Sequence, residues 1–90
     1  MAEQAMAIRS PGELAERIRW IQAQVESGRL RQRPRDPAGL WEWIDIREVP
    51  ATGPWPDYLE LHFEEVRGGA TWTLTVETYH GVGGRWQQTP

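Results

Sequence analysis

Glu60, His62, Glu64 and Glu77 are the residues of this chain whose types and spacing could do chemistry. An imidazole with a carboxylate two residues away on either side is raw material for a metal site or for general acid–base catalysis. The group shares a face only if the segment is a strand, because only there do residues i, i+2 and i+4 point the same way. A half-buried strand also needs polar residues on its outer face, so a solvated sheet surface accounts for the same four side chains without any reaction.

The rest of the catalytic inventory is thin. Cysteine and lysine are both absent, which excludes disulfides, thiolate nucleophiles, cysteine-ligated metals and Schiff-base chemistry. Ser10 and Ser27 stand where a helix should begin and end, leaving no serine in a nucleophile's setting. The run His80-Gly81-Val82-Gly83-Gly84 lacks the G-x-G-x-x-G spacing and no helix pattern follows it, so it reads as a turn and not as a phosphate loop. No metal and no cofactor is expected, and the chain is not expected to be an enzyme.

Two features speak for binding. Four arginines recur at every second position, Arg29, Arg31, Arg33 and Arg35, in a stretch closed by Pro34 and Pro37. The plain reading is a solvated connector over residues 28–39, and the functional one is contact with phosphate or with an acidic partner. Six tryptophans are more than so small a core needs, and Trp41, Trp43, Trp55 and Trp86 all lie in or beside predicted connections. Trp72 and Trp20 are assigned to the core, whereas Trp55, set between Pro54 and Pro56, is a candidate anchor for a partner.

The elements that must position these groups follow from local pattern. Ser10-Pro11-Gly12-Glu13 is a helix start, and Leu14, Ile18, Ile21 and Val25 form an apolar spine that carries the helix to residue 27. Residues 1–9 look like a flexible leader. Leu40 to Val49 is β-rich but changes apolar parity, which predicts a strand bulged near Trp43. Leu59, Leu61 and Phe63 alternate with polar residues, as do Trp72, Leu74 and Val76, which predicts strands over 57–67 and 70–80. With Gly68-Gly69 as a two-residue turn, Phe63 would oppose Leu74, Leu61 would oppose Val76 and Leu59 would oppose Thr78. On the outer face that register pairs Tyr58 with Tyr79 and Glu60 with Glu77, a like-charge pair that costs stability. Arg85 to Gln88 adds a short edge strand.

Ninety residues without repeats make one domain, 1–90, of the α+β class: one N-terminal helix packed on a three- to four-stranded antiparallel sheet. No apolar run approaches the ~18 residues of a membrane span. The opening MAEQAMAIRS lacks the basic start and apolar stretch of a signal peptide, so a cytoplasmic protein is expected. The formal net charge is −3, with residues 1–35 carrying seven arginines against four acids and residues 36–90 three arginines against nine acids. Nucleic acid is therefore not an expected partner.

The expectation is a small, acidic, non-enzymatic binding protein of inhibitor, immunity or regulatory type, acting on a basic protein. Its surface would be Glu60, His62, Glu64 and Glu77 with Trp55, Tyr58 and Tyr79, and Arg29, Arg31, Arg33 and Arg35 would form a second patch. Many bacterial and phage inhibitors share this general form, an analogy of shape alone. The alternatives are a homo-oligomeric structural or accessory subunit, such as a homodimer in which the arginine stretch of one copy covers the acidic sheet of another, and a tryptophan-lined binder of small ligands or nucleic acid.

Overall fold

A computed structural model describes residues 4–34, 43–77 and 83–89. The expected two-layer α+β architecture is the one the chain adopts, with five strands in place of three or four. In chain order the elements are β1 (Met6–Ile8), α1 (Pro11–Glu26), β2 (Leu30–Gln32), a 3-10 turn at Ile46–Glu48, β3 (Tyr58–Glu65), β4 (Thr71–Glu77) and β5 (Gly83–Gln88). The sheet runs β1-β5-β4-β3-β2 and every pairing is antiparallel.

The helix begins where its cap dictates. Ser10 Oγ accepts the Glu13 amide at 3.1 Å, which satisfies one orphan donor of the first turn, and the Glu13 side chain reaches back past the cap to the Arg9 amide at 3.0 Å. At the other end the amides of Gly28 and Arg29 close onto the Val25 and Gln24 carbonyls at 3.1 and 3.0 Å, a termination that leads straight into β2. Leu14, Ile18 and Ile21 are buried as the spine requires, and they meet Leu59, Leu61, Phe63, Trp72, Leu74 and Val76 from the sheet.

The hairpin register differs from expectation by two residues. The Glu65 amide bonds to the Ala70 carbonyl at 2.8 Å, so the turn spans residues 66–69, with Gly69 at φ 73° supplying the left-handed position. Leu61 therefore opposes Leu74, Phe63 opposes Trp72, Glu60 opposes Thr75 and Tyr58 opposes Glu77. The Glu60/Glu77 like-charge pair does not form. An even displacement leaves every side chain on its expected face.

Four segments take other roles than expected. Met6–Ile8, within the anticipated leader, is an edge strand on β5, with Ile8 2% exposed. Leu30–Gln32, within the anticipated connector, pairs with β3. In the region 40–49 the described residues form no strand: Asp45 Oδ1 accepts the Arg47 amide at 2.9 Å and caps a 3-10 turn. This turn buries Ile46 and Val49 as a lid beside α1. Gln22 from α1 donates to the Ile46 and Val49 carbonyls, both at 2.9 Å, and Gln32 from β2 holds the Ile44 carbonyl and the Ile46 amide at 2.8 and 2.7 Å. Finally, β5 is no edge strand, because it lies between β4 and β1. Trp86 enters the core from it, fully buried.

Candidate functional site

The helix and the lid cover one face of the sheet, and among the described residues no element covers the other, the open face. Strand alternation places Tyr58, Glu60, His62 and Glu64 from β3 on this open face, with Thr71, Thr73, Thr75 and Glu77 from β4. The register of β5 adds Arg85 and Gln87 beside Thr75 and Thr73, and β2 adds Arg31 beside Glu64.

These side chains are tied together. Glu60 Oε2 lies 3.2 Å from His62 Nε2, His62 Nδ1 lies 3.1 Å from Thr73 Oγ1, and Thr73 Oγ1 lies 2.7 Å from Thr89 Oγ1. Tyr58 donates to Glu60 Oε1 at 3.4 Å. The Tyr58 phenol is raised above its usual pKa, first by burial and then by the Glu60 charge. Next in line, Arg31 donates to Glu64 from two nitrogens, Nε at 2.8 Å and Nη2, and Arg33 Nη1 lies 4.0 Å from the same carboxylate. These bonds hold the Glu64 carboxyl below its ordinary pKa range.

Two of the arginines expected on a separate connector, Arg31 and Arg33, thus reach the sheet. Its open face carries Glu60, Glu64 and Glu77 against Arg31, Arg33 and Arg85, a balance of charge where an acidic surface was anticipated.

Carboxylate, imidazole and hydroxyl in sequence is the constellation that activates a nucleophile. With Nε2–H donated to Glu60, His62 Nδ1 could accept the Thr73 proton. Thr73, however, is 7% exposed, flanked by β3 and β5, and its hydroxyl is already engaged by Thr89. The array is better suited to hold side chains in place than to deliver a nucleophile. Among the described residues no group of three or more His, Asp or Glu side chains is arranged to hold a metal ion.

Trp55 is not part of this face. Its indole N–H donates to the Pro50 carbonyl at 2.8 Å, its ring lies against Gly53, and it packs on the core between helix and sheet. It pins the 50–56 loop, a role visible in sequence only as the proline bracket. Trp43 is the more exposed indole, at 36%, and its N–H donates to the Arg33 carbonyl at 3.0 Å. The Arg33 amide bonds in turn to the His62 carbonyl at 2.8 Å, so Trp43 sits at the β2 border of the open face. Arg85, Gln87 and Trp43 are the members that sequence reasoning missed, since each depends on a strand pairing or a loop path. Arg29 lies outside the network, while Tyr79 and Arg35 fall outside the described residues.

No protein-family model matches the sequence, and no curated protein or solved structure matches the chain with significance. No helix among the described residues is long and apolar enough to cross a membrane.

Proposed function

We propose that this chain is a non-enzymatic binding protein of inhibitor, immunity or regulatory type that engages another protein through the open face of its sheet. The observation that carries the reading is that one face of the sheet is covered and the other is a fixed lattice of part-exposed polar side chains. Groups already held by neighbours lose little conformational entropy when a partner arrives, so the binding energy of such a surface is not spent on ordering it. Trp43 at the border supplies a large, rigid aromatic of the kind that dominates interface energetics. Arg31 and Arg33 answer Glu64, and in the β3-start, β4-end half of the face Glu60 and Glu77 stand against Arg85 alone, which leaves that half with a net acidic character. A partner with basic side chains there and a recess for Trp43 fits the surface. Action in the cytoplasm is part of the same proposal.

The test is affinity capture by the wild-type protein and by variants, followed by measured affinity for whatever is retained. Glu60→Arg/Glu77→Arg and Trp43→Ser should each weaken the complex at least about tenfold, on the order of a single hot-spot loss. Glu16→Ala/Arg19→Ala, on the exposed side of α1, should leave it unchanged. A complex that tolerates both open-face variants would overturn the assignment of this surface. Light scattering on the protein alone addresses the homodimer: a dimer that dissociates in Glu60→Arg/Glu77→Arg would make a second copy the partner.

A further inference from the structure

Glu60, His62, Thr73 and Thr89 form a single row of hydrogen bonds across the open face, with contacts of 3.2, 3.1 and 2.7 Å in that order. The chemistry of its members sets the direction of each bond. Glu60 Oε1 takes the Tyr58 hydroxyl, and a carboxylate only accepts, so His62 Nε2, which faces Oε2, carries a hydrogen. In the neutral ring Nδ1 is then a bare acceptor, and the Thr73 hydroxyl donates to it. Thr73 has one proton to give, so the contact between the two threonines is filled by the proton of Thr89. The imidazolium donates from both nitrogens. Nδ1 then gives its hydrogen to Thr73 Oγ1, and the Thr73 proton turns to Thr89. The Thr89 amide, bonded to the Thr71 carbonyl at 2.8 Å, holds that hydroxyl within reach. The row therefore takes up a proton by reversing and not by breaking.

Among the described residues, the charged groups that surround the ring are Glu60 and Glu64 along β3, Glu77 on β4, Arg31 and Arg33 at the β2 border and Arg85 on β5. Arg31 and Arg33 answer Glu64, and Glu60 and Glu77 outnumber Arg85. One proton on His62, 3.2 Å from Glu60, cancels that surplus. We propose that the open face is a proton switch: with a neutral His62 its acidic half stays charged for a basic partner, and with a protonated His62 the row reverses and that half becomes neutral. The inference rests on the open face being the docking surface. Imidazole is the side chain that ordinarily changes charge between about pH 5 and pH 8, carboxylates ordinarily stay ionised across that window, and His62 is the one imidazole among the described residues.

Isotope-labelled protein titrated from about pH 8 to about pH 5 tests the row with no partner present. The neutral His62 ring should carry its hydrogen on Nε2, and the Thr73 and Thr89 signals should follow the ring with one common midpoint. In Thr73→Val the ring should still titrate while Thr89 stays in place, and in His62→Gln, a change at the surface, both threonines should be still. Tetra-arginine is the basic probe. It should move the Tyr58 and Glu77 amides at about pH 7.5 and bind about fivefold more weakly at about pH 5.5, the size of a weak coupling between sites. His62→Gln should bind it equally at both. A neutral ring with its hydrogen on Nδ1, or a Thr89 that ignores the ring, would overturn the proposal. Tetra-arginine bound by the wild type equally at both pH values would overturn the switch and leave the docking surface standing. Tetra-arginine bound at neither pH would remove the basic-partner reading of the surface, and the switch with it.

Discussion

A carboxylate at the surface is ordinarily a hydrated, rotating charge, and neither Glu64 on the sheet nor Asp45 at the 3-10 turn is left in that state. Arg47 donates to Asp45 from its backbone amide, from Nε at 3.0 Å and from Nη2 at 2.6 Å, and these bonds lower the Asp45 pKa to about 2. A carboxyl with a folded pKa below its unfolded value near ~3.9 contributes stability that is present above the unfolded value. That contribution is lost as pH falls through the folded one. Unfolding free energy should therefore decline between about pH 4 and pH 2, and Asp45→Asn should flatten part of that decline in denaturant titrations run across the interval. The pair is open to solvent, so the amplitude is small. The core responds on another scale. Leu61 is fully buried, and Leu61→Ala should cost about 2 to 5 kcal/mol in chemical unfolding; a loss below about 1 kcal/mol, the size of a surface change, would remove it from the core.

Among the elements, what was legible in the sequence is what is set locally. The cap at Ser10 and Glu13, the α1 spine and the alternation in β3 and β4 each depend on a few neighbouring residues, and each formed as read. The register did not, because alternation has a period of two and cannot distinguish displacements of two residues. The glycine pair pointed to a shorter turn than the Glu65–Ala70 bond closes. The alternating arginines were themselves a strand signal. With Leu30 buried and Gln32 turned to the lid between them, Arg31 and Arg33 trace a period of two that reads first as charge. Segment 43–49 has strand-forming composition, but the Asp45 cap and the contacts from Gln22 and Gln32 override it. Part of the open face was legible as Glu60, His62 and Glu64; its arginines and Trp43 arrive through long-range pairing that no local pattern contains. Strand β5 carries its own constraint. A Cβ on Gly84 would run into the Thr75 carbonyl oxygen and come within 2.8 Å of Val76 Cα, so the β4–β5 pairing tolerates no side chain there. Gly84→Ala should destabilise the protein by about 1 to 3 kcal/mol, the cost of an overpacked site; thermal unfolding that matches the wild type would show that the strands can part to admit a methyl group.

At the level of the whole molecule, the sheet is assembled from both ends of the described chain, with β5 seated between β4 and β1. A chain ending at Glu77 loses Trp86, the aromatic on which Trp20, Phe63 and Trp72 converge. Its circular dichroism should show no cooperative melting transition, and a sharp melt would mean that the helix and the β2–β3–β4 meander suffice. The same arrangement bears on how the protein emerges from the ribosome. Of the described strands, the one synthesised first finds its partner only in the one synthesised last. Until β5 is out, β4 presents an unpaired edge and the apolar side chains behind it lack their central indole. The nascent chain therefore cannot complete its sheet piece by piece, and the interval before β5 is released is when it is most open to capture by chaperones or by the edge of another copy.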